Sequence, residues 1–158
     1  MNASTMIDTV KDRWNELRRL ADELGPDALE QETPSGWTAK EMLAHVAFWQ
    51  EAAVYVIEHM LRGKPDPTTW MFPSGYDPFA VDEDWPSDLV HNAREAAWAR
   101  TQDSTAVLDR LDRAHDGLLD VLATVTDVEV AASEDYYGEI HGHLAEHLEE
   151  LRTISDSA

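Results

Sequence analysis

The stretch TAKEMLAHVAFWQEAAVYVIEHMLR, residues 38–62, decides the fold. Thr38 and Glu41 have the T-x-x-E spacing of a capping box, so a helix is predicted to begin there. Gly63 and Pro65 follow the stretch, and glycine and proline just beyond a helical pattern mark the end of a helix. Because its apolar residues lie on more than one face, this helix is expected to be deep in a bundle.

Three further segments show the apolar spacing of amphipathic helices. The first covers residues 4–24 and is expected to end at Gly25 and Pro26. The next begins near Ser87 and has a second N-cap pattern, with a bend, at Asp103. The last covers residues 135–154. The sequence therefore predicts an all-α four-helix bundle, in which the long segment 63–86 crosses the bundle between helices two and three so that these two helices run parallel.

The composition indicates one domain over residues 1–158. The chain has 158 residues, 43% of them hydrophobic, which is enough for one sizeable core. It has no cysteine, which excludes disulfides, thiolate metal sites and a cysteine nucleophile. No secretory signal is recognisable at the N-terminus, and a cytoplasmic protein is the expectation.

The charge excludes two classes of partner. The formal net charge is −20, and no segment is basic. Binding to DNA or RNA depends on lysine and arginine contacts with phosphates, so nucleic acid is not the expected ligand. An anionic membrane surface would also repel this chain. The longest uncharged stretch within the helical segments is 9 residues, residues 42–50, which is too short for a membrane span of about 20.

Histidines supply the most informative chemistry. His143 and His147 are four residues apart, so both rings can face one ion from the same side of a helix. His45 lies on the innermost face of the second helix, and it joins them if helices two and four are neighbours. Three neutral imidazoles with one open position are typical of a catalytic site for zinc, nickel or a similar divalent ion. A hydrogen-bonded core histidine is the alternative reading of His45.

The other histidines are weaker candidates. His115 lies on the core stripe of the third segment, where a packed residue is favoured over a fourth ligand or a partner of a ligand. His59 is fourteen residues after His45, about 21 Å along a helix, which is too far to share an ion. It is expected to stabilise the helix C-terminus. His141 is expected to face solvent, and His91 has no informative pattern.

Several further residues are candidates for a pocket or for proton transfer. Glu146 and Tyr136 are the candidate catalytic side chains, and Glu139 is an alternative base or outer acceptor. An exposed helix surface explains the two glutamates equally well. Asp82, Glu83 and Asp84 lack the calcium-loop pattern and are expected to form a solvated turn. The aromatic residues that could line a pocket are Trp49, Trp70, Tyr76, Trp85 and Tyr136.

Three stretches resemble the DinB-like superfamily of metal-binding four-helix bundles. They are SGWTAKEMLAHVAFWQ (35–50), AVLDRLDRAHDGLLDVL (106–122) and HGHLAEHLEELR (141–152). The middle stretch is similar to the third helix of the ClbS/DfsB-like branch. The resemblance places the metal triad at His45, His143 and His147. In the related N-terminal domain of mycothiol-dependent maleylpyruvate isomerase a glutamate commonly stands where this chain has His143, which argues against that isomerase activity.

The resemblance implies a divalent ion, nickel or zinc, and chemistry on a small-molecule substrate. The expected enzyme activates water or a low-molecular-weight thiol, such as mycothiol or bacillithiol, for hydrolysis of a small electrophile or for transfer to it. Two alternatives stay open: a non-catalytic protein that sequesters a small molecule, and a domain that serves to form a homodimer. Fold alone does not decide between them.

Overall fold

The computed structural model describes residues 1–62 and 88–157. This part of the chain contains six α-helices and no strand, which confirms the predicted all-α fold. None of these helices combines the length and the apolar character that a bilayer span requires. The helices are α1 (Ala3–Leu29), α2 (Ala39–Tyr55), α3 (Asp88–Arg100), α4 (Ser104–Leu122), α5 (Asp127–Ala132) and α6 (Glu134–Ser157), with a π-helical segment (Val56–Leu61) directly after α2.

Helices α1, α2, α4 and α6 form the bundle, and α2 runs parallel to α4. Near the start of both helices, Lys40 Nζ donates a hydrogen bond to the carbonyl oxygen of Gln102 (2.8 Å). Near their ends, Arg62 Nη2 donates to Thr124 Oγ1 (2.7 Å). The most extensive packing is between α2 and α4 and between α1 and α6. The predicted parallel arrangement of the second and third long helices is therefore confirmed.

Helix α3 carries the chain back along α2. Arg100, at the end of α3, contacts Glu41 at the start of α2, whereas Asn92 contacts Trp49 further along. The two helices are therefore antiparallel. The expected bend at Asp103 is in fact a reversal of direction, in which the Asp103 carboxylate accepts a hydrogen bond from the backbone of α4. Helix α3 therefore contributes to the return along the bundle, and the segment 63–86 that is expected to cross the bundle lies outside the described residues.

Helix α2 lies at the centre of the structure, as its composition predicts. Of its 17 residues, 13 are buried. Its N-terminus is capped by Thr38, whose hydroxyl accepts a hydrogen bond from the backbone N–H of Glu41 (3.1 Å). The reciprocal half of the predicted capping box is replaced, because the Glu41 carboxylate pairs with Arg100 (3.1 Å). Burial next to α3 explains this change of partner.

The structure contains two helical features beyond those expected, a continuation of α1 and an additional short helix. The helical conformation of α1 breaks at Gly25, where the sequence predicts the end of the first helix: Gly25 has a φ of +76°. Pro26 then opens a further short turn, so that α1 reaches Leu29 beyond this kink. Proline suits the first turn of a helix because that turn has no use for its missing N–H. Helix α5 was not predicted, although Thr126 and Glu129 form a complete capping box at its start.

Candidate metal centre

Three imidazole rings meet between α2 and α6. The Nε2 atom of His143 lies 2.8 Å from Nε2 of His45 and 3.0 Å from Nε2 of His147. One ligand atom from each of the three rings lies within 4.8 Å of the other two, so the group could hold a metal ion. The structure thus brings together the three histidines that the sequence predicts.

The positions of the rings follow from the helices that carry them. The Thr38 cap starts α2, and His45 comes seven residues later on its buried face, where its exposure is 7%. His143 and His147 are one turn apart on α6, and His147 is 5% exposed. The packing of α6 on α2 supplies the rest of the geometry.

Asn92 on α3 fixes the protonation of His45. The Oδ1 atom of Asn92 lies 3.1 Å from the indole nitrogen of Trp49 and 2.9 Å from Nδ1 of His45. An indole N–H can only donate, so the Asn92 atom facing it is the carbonyl oxygen, which can only accept. His45 must therefore carry its proton on Nδ1. Its Nε2 then presents a lone pair to the centre.

Glu150 does the same for His147. Its carboxylate oxygen lies 2.7 Å from Nδ1 of His147, three residues earlier on α6. Since a carboxylate accepts, Nδ1 of His147 carries a proton, and in the neutral ring Nε2 then presents a lone pair. Histidines that bind metals generally donate their other ring N–H to a carboxylate or a carbonyl in this way.

The three Nε2 atoms cannot all be paired by the protein itself. A neutral His143 has one N–H at most to place between His45 and His147. At least one lone pair would then face another without a hydrogen between them. A cation at the centre accepts all three lone pairs, so the donor set fits a metal ion.

The spacing also fits a small divalent ion. Zinc–nitrogen bonds of about 2.0–2.1 Å at tetrahedral angles place ligand nitrogens roughly 3.3–3.4 Å apart. The distances of 2.8 and 3.0 Å are within about half an ångström of this spacing.

Burial keeps two of the rings neutral. It lowers the pKa of His45 to about 3, with electrostatic repulsion by His147 adding to the effect and the hydrogen bond with Asn92 opposing it. It lowers the pKa of His143 to about 2, and repulsion from both neighbouring histidines adds to it. Neutral imidazole is the form that binds metals, so these ligands are available near neutral pH.

A cavity of about 390 Å³ opens beside the rings of His45 and His143. This volume is in the range of small-molecule sites. Helices α2, α3, α4 and α6 all contribute to its wall. Most of the wall is apolar, and no lysine or arginine of the described residues lines it. The lining residues are His45, Trp49, Gln50, Ala53, Asn92, Leu118, Tyr136, Glu139, Ile140, His143 and Leu144.

Comparison with known proteins agrees with this architecture. A family model described as the DinB superfamily matches residues 9–151. The chain belongs to the DinB superfamily. No curated protein and no solved structure matches it significantly. The DinB match spans α1 to α6 and includes all three histidines of the centre.

The other candidate residues of this DinB-superfamily chain differ in whether they line the cavity. Tyr136, Glu139 and Trp49 line the cavity, whereas Glu146 is exposed and lies outside its lining. The remaining aromatic candidates, Trp70, Tyr76 and Trp85, and the acidic group Asp82, Glu83 and Asp84 lie outside the described residues.

His141 does not face solvent as expected. It is half-buried, and its ring nitrogen Nδ1 lies 2.7 Å from Nη1 of Arg13 on α1. The parallel packing of α1 on α6 covers this flank of the helix. Burial, followed by the positive charge of Arg13, lowers the pKa of His141.

The three remaining histidines also lie apart from the centre. His115 is 3% exposed and stacks on Trp14 of α1, with ring centroids 3.9 Å apart, so it is the packed residue that the sequence favours. His91 is fully buried against Phe48. His59 is exposed on the π-helical segment, near Glu58 and Tyr55.

Asn92 and Glu150 are the residues of the centre that sequence reasoning missed. Glu150 could have been found, because a carboxylate three residues after His147 lies on the same side of the helix. Asn92 carries no local signal, since its role depends on how α3 packs against α2. Both residues contact the histidines of the centre, and neither is itself a candidate metal ligand.

The buried ring of His115 gives a prediction for the pH dependence of stability. Burial lowers its pKa to about 4, against 6.5 for an unperturbed histidine. The unfolded chain therefore binds a proton at a pH where the folded chain does not, and stability falls as the pH drops from 6.5 towards 4. Replacing His115→Phe should remove this loss. Between pH 7.5 and pH 5, the free energy of unfolding of the variant should rise relative to the parent by about 2 kcal/mol.

The measurement is urea unfolding at both pH values on metal-free protein. His59→Phe is the matched control, because its side chain is exposed and the variant should follow the parent at both pH values. Parallel curves for the parent and His115→Phe would show that this histidine is not held neutral by burial.

Proposed function

We propose that His45, His143 and His147 hold one divalent transition-metal ion, zinc or nickel, in a metal-dependent enzyme. The observation that carries the proposal is the meeting of three Nε2 atoms, two of them with lone pairs set by Asn92 and Glu150. Zinc and nickel suit an imidazole donor set, and three protein ligands leave a position open for reaction.

The proposed reaction is attack of water or of a low-molecular-weight thiol on a small electrophile. Lewis acidity from the divalent ion would make that water or thiol a stronger nucleophile near neutral pH. The chain itself contributes the orientation of the imidazoles, through Asn92 and Glu150, and a mostly apolar cavity in which a small substrate can bind. Attack by water gives the hydrolysed electrophile, and attack by the thiol gives a thioether or thioester of the electrophile. Mycothiol and bacillithiol are the candidate thiols.

The side chains proposed to assist the reaction lie in the cavity wall. Glu139 lies one helical turn before His143, and its carboxylate can accept a proton from the nucleophile. Tyr136 lies one further turn away on the same wall and can orient the substrate. Glu146 is a weaker candidate because it is exposed outside the cavity.

A non-catalytic role in binding a small molecule is the second candidate. The largely apolar wall, with Trp49, Leu118 and Ile140, favours it, since such a surface retains a ligand without any chemistry. Binding that persists after chelation, without turnover, would favour sequestration over catalysis. A single domain over the whole chain, a cytoplasmic location and a homodimer stay predictions.

Metal analysis tests the proposal directly. Purified protein should bind about one zinc or nickel ion per chain, measured by elemental analysis after dialysis against a slight excess of the ion. His147→Ala should lose this ion, because removal of one of three ligands leaves two. His141→Ala is the matched control on the same helix and should retain it, since its ring contacts Arg13 and not the centre. Full metal content in His147→Ala would contradict the assignment.

Removal of the Glu150 carboxylate gives a second, finer prediction. Glu150→Ala should weaken zinc binding by about 10- to 100-fold, because His147 loses the acceptor that sets its protonation and orientation. Glu149→Ala makes the same change of charge at the adjacent, exposed residue and should leave the affinity unchanged. The measurement is competition with a chromophoric zinc chelator at constant pH. Equal affinities in the two variants would mean that Glu150 has no role in the centre.

A further inference from the structure

Gln50 is the cavity-lining residue whose chemistry the metal centre does not use. It lies on α2, five residues after His45, and its exposure is 4%. Neither its amide nitrogen nor its amide oxygen has a hydrogen-bond partner among the described residues. The other amide in the wall, Asn92, differs, because its oxygen accepts hydrogen bonds from both Trp49 and His45.

Stability does not explain a glutamine at this position. A buried amide without partners lowers stability, because it loses its hydrogen bonds with water and gains none in the protein. Leucine or methionine would fill a similar volume without this cost. Buried polar groups in proteins are nearly always paired, so an unpaired amide in a cavity wall points to a partner that arrives from outside.

The hydrogen-bonding pattern of the Gln50 amide indicates which chemical group on a ligand would pair with it. Its N–H₂ donates and its carbonyl accepts at the end of one side chain, so its best partner has an acceptor and a donor side by side. Carboxamides, lactams, carbamates and ureas have this pattern. The terminal torsion of glutamine is broad, so a modest rotation can turn the amide towards a ligand.

The rest of the wall limits the ligand further. Leu118, Ile140 and Leu144 offer apolar surface, and no cationic side chain of the described residues lines the cavity to pair with an anion. Glu139 and the net charge of −20 also repel anions. An uncharged, largely apolar molecule is therefore favoured over a carboxylate or a phosphate.

We propose that Gln50 determines specificity by hydrogen-bonding the amide-type group of an uncharged, largely apolar ligand in the cavity. As an account of substrate choice, this inference rests on the proposed metal-dependent function of the same site. The recognition itself needs only the cavity and Gln50.

Benzamide and acetophenone provide the test. They have nearly the same shape, but acetophenone has a methyl group where benzamide has the N–H₂ donor. The parent protein should bind benzamide at least about fivefold more tightly, which is the lower end for one well-placed buried hydrogen bond. Affinities are measured by ligand-observed NMR titration, on chelator-treated and on zinc-loaded protein.

Two variants locate the preference. Gln50→Leu should bind the two probes with equal affinity, because it keeps the apolar wall and loses the amide. Its urea midpoint should equal or exceed that of the parent, which would show that it is folded. Gln31→Leu is the matched control, since Gln31 is exposed outside the cavity, and it should keep the preference.

The outcomes separate this inference from the metal proposal. A benzamide preference that persists in chelated protein and is lost in Gln50→Leu supports the inference even if no metal ever binds. Equal affinity for the two probes in the parent, binding of neither probe, or a preference that survives in Gln50→Leu would overturn it. Each of those results leaves the metal content, and so the proposed centre, unchanged.

Discussion

The candidate metal centre depends on which ring nitrogen atoms of its three histidines carry protons. Asn92 and Glu150 hold the protons of His45 and His147 on Nδ1, so two lone pairs point at the Nε2 atom of His143. The protein can place at most one hydrogen among these three nitrogens. Burial disfavours further protonation of His45 and His143, because a charged ring would lose its hydration. The arrangement is therefore satisfied by a cation that accepts all three lone pairs.

The fold supplies this constraint by placing three helices around one point. Helix α2 carries His45 at the centre of the bundle, α6 carries His143 and His147, and α3 returns along α2 to supply Asn92. The return of α3 is what lets α2 and α4 run parallel while leaving one side of the centre open to the cavity. The meeting of the three histidines, the contact of Asn92 with His45 and the cavity wall thus all depend on how the other helices pack on α2.

Local sequence signals predicted the parts of the site that lie within one helix. The Thr38 cap fixed the register of His45, and the four-residue spacing of His143 and His147 placed both rings on one side of α6. Signals that depend on packing were missed: the Asn92 contact, the Glu41 pairing with Arg100 and the burial of His141 all arise where helices distant in sequence meet. The glycine and proline at positions 25 and 26 correctly predicted the break in the first helix but not its continuation to Leu29, because proline after a left-handed glycine can open a new helical turn.

X-ray absorption spectroscopy at the metal edge of the zinc-loaded protein tests the central claim most directly. The spectrum should show three imidazole nitrogens at about 2.0–2.1 Å, with the multiple-scattering pattern of histidine rings, and one further light ligand. A shell with one imidazole or none, or a six-coordinate shell of oxygen ligands, would contradict the account. In that case His45, His143 and His147 would be packed core histidines, and the cavity would have to act without them.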